Sequence, residues 1–269
     1  MTYCFTSTFL DEPINTERVI DIFEPHKCDE EDVSIFFIHG GGWRAGSRSR
    51  FYTIMKAYSE RGFRCASVDY RLGNSNIFDQ IADIRHGYDF FISHLKKLGR
   101  PLKVLVFGSS AGAHLAALLS LAAPGDCGDP LTVNGYEYEN DWVQPLGVAL
   151  QATPVTFVPW DEIFPGIWAS MEDIVGTPYS KAPGLYKKVS PANHVKKGSP
   201  AVFFLEAENE HMFPRHLTMK MVDLLIGKGV KSRCKVYRNT EHGFFYDITR
   251  KRQEEAFIDI IDFIRMIQK

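Results

Sequence analysis

The chain has 269 residues, of which 45% are apolar and 24% are charged, and its formal net charge is −2. A chain of this length and apolar content can bury a large core as one domain over residues 1–269. The near-neutral charge gives no electrostatic reason to bind nucleic acid, and no stretch reaches the roughly 20 apolar residues that span a membrane.

Short apolar runs alternate with helical patterns along the chain, which predicts an α/β fold with a mostly parallel central sheet and helices on both faces. The runs that predict buried strands are 18–23, 33–38, 65–68, 102–107, 147–151, 201–205 and 234–237. Apolar residues at steps of three and four predict a helix over 77–95, and the same spacing recurs in the last helix. These stripes indicate core packing and carry no functional information.

A glycine-rich sequence, HGGGW at 39–43, directly follows the strand predicted over 33–38. Such a loop lets backbone N–H groups turn into a cleft, so Gly41 and Gly42 are predicted donors of an oxyanion hole. A flexible loop or a phosphate cradle would use similar residues, but no Gly-Lys-Ser/Thr follows and no G-x-G-x-x-G fits. His39 lies at the end of this predicted strand, before Ser110 in the chain, and we interpret it as a side chain that braces the loop.

The sequence GSSAG at 108–112 lies between the strand predicted over 102–107 and a small-residue helix. A tight strand-to-helix turn of this kind forces its central residue into a strained conformation and exposes its side chain. Ser110 is therefore the predicted nucleophile, and the N–H of Ala111, at the positive end of the helix, is a third oxyanion donor. A chance match is the alternative, but the context agrees on both sides.

A loop-rich insert over 153–195 holds many prolines and aromatic residues and no clear strand. It lies between two predicted strands, on the side where the loop bearing Ser110 emerges. Trp160, Phe164 and Trp168 are candidates to line a substrate pocket there, with Trp43 beside the oxyanion loop. Each of them could equally pack the insert onto the core.

Three glutamates follow the strand predicted over 201–205: Glu206, Glu208 and Glu210. A carboxylate after this strand would orient a catalytic histidine. We favour Glu210, because the loop should turn toward the histidine just before an apolar pair and Pro214. Glu208 stays the alternative, and a solvated acidic loop is the interpretation without a catalytic role.

A serine hydroxyl is a poor nucleophile and needs an adjacent base. His242 follows the strand predicted over 234–237, in a loop before the final helix, and so completes the order serine, acid, histidine. The sequence therefore predicts a triad of Ser110, Glu210 and His242. Because the imidazole must start neutral, activity is expected to fall at acidic pH.

Five motifs together resemble the α/β-hydrolase esterase family: HGGGW at 39–43, DYRL at 69–72, GSSAGAH at 108–114, EHMFP at 210–214 and HGF at 242–244. They are most similar to the carbohydrate-esterase branch that includes bacterial feruloyl and acetyl-xylan esterases. The resemblance implies an α/β-hydrolase fold and hydrolysis of short acyl or hydroxycinnamoyl esters of sugars through an acyl-enzyme, without cofactor or metal. The family usually has Asp where Glu210 stands and Gly where Ala207 stands.

Two other functions remain open from the sequence. The GSSAGAHL sequence at 108–115 also resembles the aryl-formamidase branch of the fold, which would use the same triad on a formyl amide. A catalytically inactive hydrolase fold that binds small molecules would commonly have lost a triad member, and none is visibly missing.

The cysteines and the N-terminus indicate the compartment. The first ten residues have neither the basic start nor the long apolar core of a signal peptide, so we expect a cytoplasmic protein. The cysteines are odd in number, widely scattered and without C-x-x-C spacing, so we predict free thiols and neither a disulfide framework nor a zinc site. They are Cys4, Cys28, Cys65, Cys127 and Cys234.

Overall fold

A computed structural model of the protein describes residues 3–11, 14–25, 32–133, 136–137 and 142–269. Its strands are β1 (Tyr3–Phe9), β2 (Val19–Pro25), β3 (Val33–Ile38), β4 (Cys65–Val68), β5 (Lys103–Ser109), β6 (Thr132–Val133), β7 (Tyr136–Glu137), β8 (Gly147–Gln151), β9 (Ala201–Asn209) and β10 (Ser232–Glu241). Its helices are α1 (Tyr52–Ser59), α2 (Ile77–Lys97), α3 (Ala111–Leu121), α4 (Pro165–Val175), α5 (Pro183–Lys188), α6 (Arg215–Gly227) and α7 (Lys251–Gln268).

Eight strands form one sheet in the order β1-β2-β4-β3-β5-β8-β9-β10. The strands from β4 to β10 in this order run parallel, whereas β2 pairs antiparallel with both β1 and β4. The predicted mostly parallel sheet is thus confirmed. Because parallel strands end at the same edge, the loops after β3, β5, β9 and β10 meet at one rim of the sheet.

Helices cover both faces of the sheet, as predicted. In β3, Phe36 and Ile38 belong to the core beneath α2, α3 and α6, while Ile35 and Phe37 belong to the core beneath α1 and α7. This alternation follows from the two-residue period of a strand. A central strand covered on both faces must be mainly apolar on both, which is why five of the six residues of β3, all but Ser34, are apolar.

Several elements differ from the sequence predictions, among them the short strands β6 and β7, which were not predicted. No strand was predicted at β1, which is an edge strand that alternates polar residues with Phe5 and Phe9, each about half exposed. Strand β10 continues past the predicted end at 237, after a register shift, to Glu241. The insert over 153–195, predicted to be loop-rich, contains α4, α5 and a short 3-10 helix.

No helix within the described parts of the chain is long and apolar enough to cross a membrane. Four of the cysteines are free thiols, namely Cys4, Cys65, Cys127 and Cys234. Cys28 lies outside the described residues.

Candidate active site

The turn between β5 and α3 holds Ser110 in an unusual backbone conformation, with φ 56° and ψ −122°. A non-glycine residue adopts this region only when its surroundings fix it. Glycine is required on both sides of the turn, because a Cβ on Gly108 would lie 2.2 Å from the Gly112 carbonyl oxygen. A Cβ on Gly112 would lie 2.1 Å from the carbonyl oxygen of Ile38. Close packing of the turn against the sheet thus explains the G-x-S-x-G spacing.

Ser110, His242 and Glu210 form one chain of hydrogen bonds. The Nε2 atom of His242 is 3.0 Å from Ser110 Oγ, and its Nδ1 atom is 2.8 Å from Glu210 Oε2. Burial acts to raise the pKa of Glu210, but the hydrogen bond and charge of His242 outweigh it and lower the pKa. Glu210 is therefore ionised at neutral pH and accepts the Nδ1 proton, which leaves Nε2 to accept the hydroxyl proton of Ser110.

The structure distinguishes the three glutamates that follow the predicted strand. Strand β9 runs on to Asn209, so the turn toward the histidine begins only at Glu210. Glu208 is exposed, and its Oε2 accepts a hydrogen bond from the Asn239 N–H at 2.8 Å. Glu206 is buried within the strand, where its Oε1 accepts a hydrogen bond from Thr218 Oγ1 at 3.0 Å. Of these side chains, the structure places Glu210 against His242.

Glu206 makes stability depend on pH. Burial raises its pKa to about 7, against the opposing hydrogen bond of Thr218, from an ordinary value of 4.5. The unfolded chain releases this proton at lower pH than the folded protein, so the group costs stability progressively as the pH rises from 4.5 to about 7. We expect Glu206→Gln to gain stability over the unsubstituted protein across that window, by about 3 kcal/mol at pH 8. Urea unfolding at acidic and at mildly alkaline pH measures this, and a pH-independent difference between the two proteins would contradict it.

The loop after β3 presents backbone amides to Ser110. Gly41 has φ 134° and Gly42 has φ 57°, and the Gly41 carbonyl accepts hydrogen bonds from Arg44 N and Ala45 N. Within the described residues, no acceptor is found for the N–H groups of Gly41 and Gly42. Ala111 is the first residue of α3, so its N–H is also free of an intrahelical partner. These amides are available to an oxyanion beside Ser110.

His39 braces this loop, as predicted for it. Its ring stacks on Tyr70 at 4.4 Å between centroids, and its Nδ1–H donates to the Gly40 carbonyl at 3.0 Å. The Tyr70 hydroxyl donates to the His39 carbonyl at 2.8 Å. Burial lowers the pKa of His39, which keeps the ring neutral. Arg71, which follows Tyr70 in the DYRL motif at 69–72, forms two 2.8 Å hydrogen bonds with the buried carboxylate of Asp83.

Gln151, which sequence reasoning treated only as the last residue of a strand, joins two parts of the site. Its carbonyl accepts the Ser110 N–H at 2.8 Å, and its Nε2 donates to Ser109 Oγ at 2.6 Å. Its Oε1 accepts the Phe245 N–H at 2.8 Å, three residues after His242. The turn that carries the serine is thus tied to the loop that carries the histidine. The sequence feature that could have indicated this role of Gln151 is its position, as a polar residue at the carboxyl end of an otherwise apolar strand.

Arg44 fixes α4 beside the glycine loop. Its Nε donates to the Asp173 carboxylate of α4 at 2.7 Å, and its Nη1 donates to the Ser75 carbonyl at 2.7 Å. Two residues of α4, Ile167 and Ser170, consequently line the cleft in front of Ser110. Sequence reasoning did not single out Arg44, because its partners lie far away along the chain.

The cleft that contains Ser110 and His242 has a volume of about 330 Å³, at the lower end for a small-molecule site. The apolar part of its lining comes from Trp43, Ile167, Met212, Phe213 and Tyr246. A hollow of about 500 Å³ opens on the other side of the histidine loop, along residues 239–253, and Ser110 does not line it. The smaller cleft is therefore the candidate substrate site.

The four aromatic residues predicted to bind substrate have different positions. Trp43 lines the cleft but is only 2% exposed, because its ring packs edge-on against His114 and Phe157. The cleft lining does not include the other three. The ring of Trp160 lies 6.5 Å from the ring of Phe213, which does line the cleft. Trp168 stacks on Tyr186 within the insert, and Phe164 is 64% exposed at the start of α4. In the insert, Ile167 and Ser170 reach the cleft instead.

Among the described residues, no group of three or more His, Cys, Asp or Glu side chains is arranged to hold a metal ion. The buried histidine of the turn helix, His114, donates from Nε2 to the Val189 carbonyl at 2.7 Å. Burial lowers its pKa to about 3, so it is neutral. The hydrogen bond to Val189 and the lowered pKa both indicate that His114 has a structural role in the core.

The mostly parallel sheet, the strained strand-to-helix turn and the order of Ser110, Glu210 and His242 after strands β5, β9 and β10 define the protein as an α/β-hydrolase. Solved structures share this fold. Esterase B from Lactobacillus rhamnosis superposes with a TM-score of 0.80 at 17% identity, over 99% of this chain and 86% of that one. Thermogutta terrifontis esterase 2, solved as its tabun-phosphoramylated form, gives a TM-score of 0.75 at 21% identity, over 98% of this chain and 94% of that one.

Within this fold class, the chain belongs to the BD-FAE family, whose family model matches residues 20–225. Among curated proteins it is 27% identical over 217 residues to the probable carboxylic ester hydrolase LipM of Mycobacterium tuberculosis. That match covers 78% of this chain and 49% of LipM. It is also 24% identical to the probable isoprenylcysteine alpha-carbonyl methylesterase ICME of Oryza sativa, covering 94% of this chain and 62% of that protein. The chain thus spans about half to three-fifths of these relatives.

Proposed function

We propose that the protein is a serine carboxylic ester hydrolase that works through an acyl-enzyme on Ser110. The observation that carries this proposal is the unbroken hydrogen-bond chain from Ser110 Oγ through His242 to Glu210, beside free backbone amides. These are the parts that acyl transfer needs: a nucleophile, a base, a group that orients the base, and donors for the oxyanion.

Each residue has a defined part in the proposed reaction. Ser110 Oγ bonds to the ester carbonyl carbon while its proton passes to His242 Nε2. The N–H groups of Gly41, Gly42 and Ala111 hold the oxyanion that develops. The bond to the alcohol then breaks, and the alcohol leaves with the proton from His242. Water repeats the sequence at the acyl carbon and releases the acid, which restores Ser110.

We propose short acyl or hydroxycinnamoyl esters of sugars as the substrate class. A cleft of about 330 Å³ with an apolar and aromatic lining suits an acetyl group or a single phenolic ring. The resemblance of the five sequence motifs to feruloyl and acetyl-xylan esterases supports the same class. The sugar alcohol would leave through the open side of the cleft.

Covalent labelling tests the proposed activity. A fluorophosphonate probe should label Ser110, as located by mass spectrometry of the digested protein, and Ser110→Ala should abolish labelling. Turnover is then compared on 4-nitrophenyl acetate, methyl ferulate, an acetylated xylo-oligosaccharide and N-formylkynurenine. Faster turnover of the formamide would favour the aryl-formamidase alternative. If the protein is neither labelled nor active on any of these substrates, it is an inactive binding protein and the proposal is overturned.

A further inference from the structure

The candidate cleft carries a positive charge without a carboxylate beside it. Arg50, in the 3-10 helix Arg48–Phe51, lines the cleft together with Ser110. Among the described residues that line it, none is Asp or Glu, and Arg50 is the one with a permanent charge. The nearby carboxylate of Glu210 does not line the cleft, since it faces His242 and two backbone amides. The electrostatics of the cleft therefore favour an anion.

The guanidinium of Arg50 is held in place by an aromatic ring. Its central carbon lies 4.5 Å from the centroid of the Tyr246 ring, and that ring stacks on Phe51 at 5.1 Å. Tyr246 is in turn part of the loop that follows His242. A guanidinium that rests on a packed ring loses little further freedom when it binds a ligand.

Arg50 differs in this respect from the arginine two residues before it. The guanidinium of Arg48 is neutralised by ion pairs with Asp21 and Asp69. In the part of the chain that the structure describes, no carboxylate lies within ion-pair distance of Arg50. Arg48 thus has carboxylate partners, whereas Arg50 donates a hydrogen bond to the Tyr246 hydroxyl and lines the cleft with its charge unpaired by a carboxylate.

We propose that Arg50 forms an anion subsite, so that the preferred substrates are esters that carry a carboxylate within reach of its guanidinium. A carboxylate fits because its two oxygens match the parallel N–H groups of a guanidinium. This inference rests on the proposed esterase function and narrows its substrate class. The carboxylate could belong to the alcohol or to the acyl part of the ester, and paired substrates distinguish the two.

The test compares kcat/KM on two pairs of acid and neutral substrates. For the alcohol part, 4-acetoxybenzoate is compared with 4-acetoxybenzamide. For the acyl part, the 4-nitrophenyl half-ester of adipic acid is compared with its methyl ester. We expect an approximately tenfold preference for the acid in one pair, since a charge-assisted hydrogen bond at a partly exposed site has about this effect. The preference should shrink in high salt.

The variants separate a charge effect from a general disturbance. Arg50→Met should remove the preference while turnover of the neutral esters persists, and Arg50→Lys should keep part of it. Arg61→Met is the matched control, because Arg61 is an exposed arginine that lies over another ring, Phe257, at 4.9 Å. It should leave the preference unchanged.

Two results would overturn the subsite: no preference for the acid in either pair, or a preference that survives Arg50→Met. Should Arg50→Met fail to fold, salt-sensitive inhibition of the unsubstituted protein by 4-hydroxybenzoate, compared with 4-hydroxybenzamide, decides the question. Equal inhibition by the two compounds would then overturn it. Failure of the esterase proposal itself looks different, because the neutral esters would then not be turned over at all.

Discussion

Replacing Ser110 or His242 with alanine is expected to lower kcat about 10⁴- to 10⁶-fold, and the double replacement should lower it no further. The reason is that the two side chains act as one unit through their 3.0 Å hydrogen bond. Without the imidazole the hydroxyl keeps its proton, and without the hydroxyl the imidazole has nothing to activate. The residual rate would come from the oxyanion donors and from substrate binding.

Initial rates on one nitrophenyl ester test this prediction. Circular dichroism and gel filtration verify that each variant is folded, so that the rates are compared per amount of folded protein. Losses that multiply in the double variant would mean that Ser110 and His242 act independently, which would exclude the proposed triad. The KM should change much less than kcat, because neither side chain is needed to fill the apolar part of the cleft.

The acid of the triad can be tested with two neighbouring glutamates. Glu210→Gln should lower kcat by roughly 10⁴-fold, because the amide no longer fixes the tautomer of His242 or stabilises its charged form. Glu208→Gln is the matched control, since Glu208 is exposed and accepts only the Asn239 N–H, which an amide oxygen can also accept. It should retain nearly full activity. The opposite ranking would move the role of the acid to Glu208.

The sequence predicted the centre of the fold better than its edges, for a physical reason. Central parallel strands are buried on both faces, so β3 and β5 appear as mainly apolar runs, interrupted within β3 only by Ser34 and flanked in β5 by Lys103 and Ser109. The edge strand β1 needs apolar residues on one face only, and its alternating pattern gives a weaker signal. Strand β10, at the opposite edge, is half exposed, and its last residues follow a register shift that no local pattern encodes.

Within the site, local motifs indicated Ser110 and His242, but the choice between Glu208 and Glu210 needed coordinates. Strand β9 continues to Asn209, beyond the apolar run that ends at Leu205, because its last residues pair with β10. The sequence favoured Glu210 from the apolar pair and Pro214 that follow it, but no local pattern shows that the strand itself continues to Asn209. Gln151 remained unpredicted for a related reason, since it contacts Phe245, 94 positions away.

Which aromatic residues line the pocket depends on the direction of each side chain, and amino-acid composition gives no information about that direction. The abundance of aromatic residues in 153–195 predicted a segment beside the substrate site, and in the structure Ile167 and Ser170 of α4 line the cleft that contains Ser110. Trp168, between these two in sequence, instead stacks on Tyr186. Successive positions on a helix point in directions about 100° apart, so neighbours in sequence serve different surfaces.

Replacing Gly41 with alanine is expected to lower kcat about 10²- to 10³-fold, the usual effect of losing one oxyanion donor. Gly41 has φ 134°, a region open almost only to glycine, and an added Cβ would lie 2.1 Å from the Ala45 carbonyl oxygen. Since that contact is with backbone, the loop itself must move, and its amides move away from the oxyanion position beside Ser110. The KM should rise less, because the apolar lining of the cleft stays in place.

Gly42→Ala supplies the control for this loop, because its φ of 57° is a left-handed helical conformation that alanine adopts at a cost of about 1–2 kcal/mol. Nothing lies within 4 Å of a Cβ at this position, so the loop keeps its course and its amides. We expect a modest loss of thermal stability with kcat near that of the unsubstituted protein. Comparing both variants on the same ester separates backbone strain from donor loss. If Gly41→Ala kept its kcat while the loop moved, the oxyanion would have to be held by other groups, with Ala111 N–H the nearest remaining candidate.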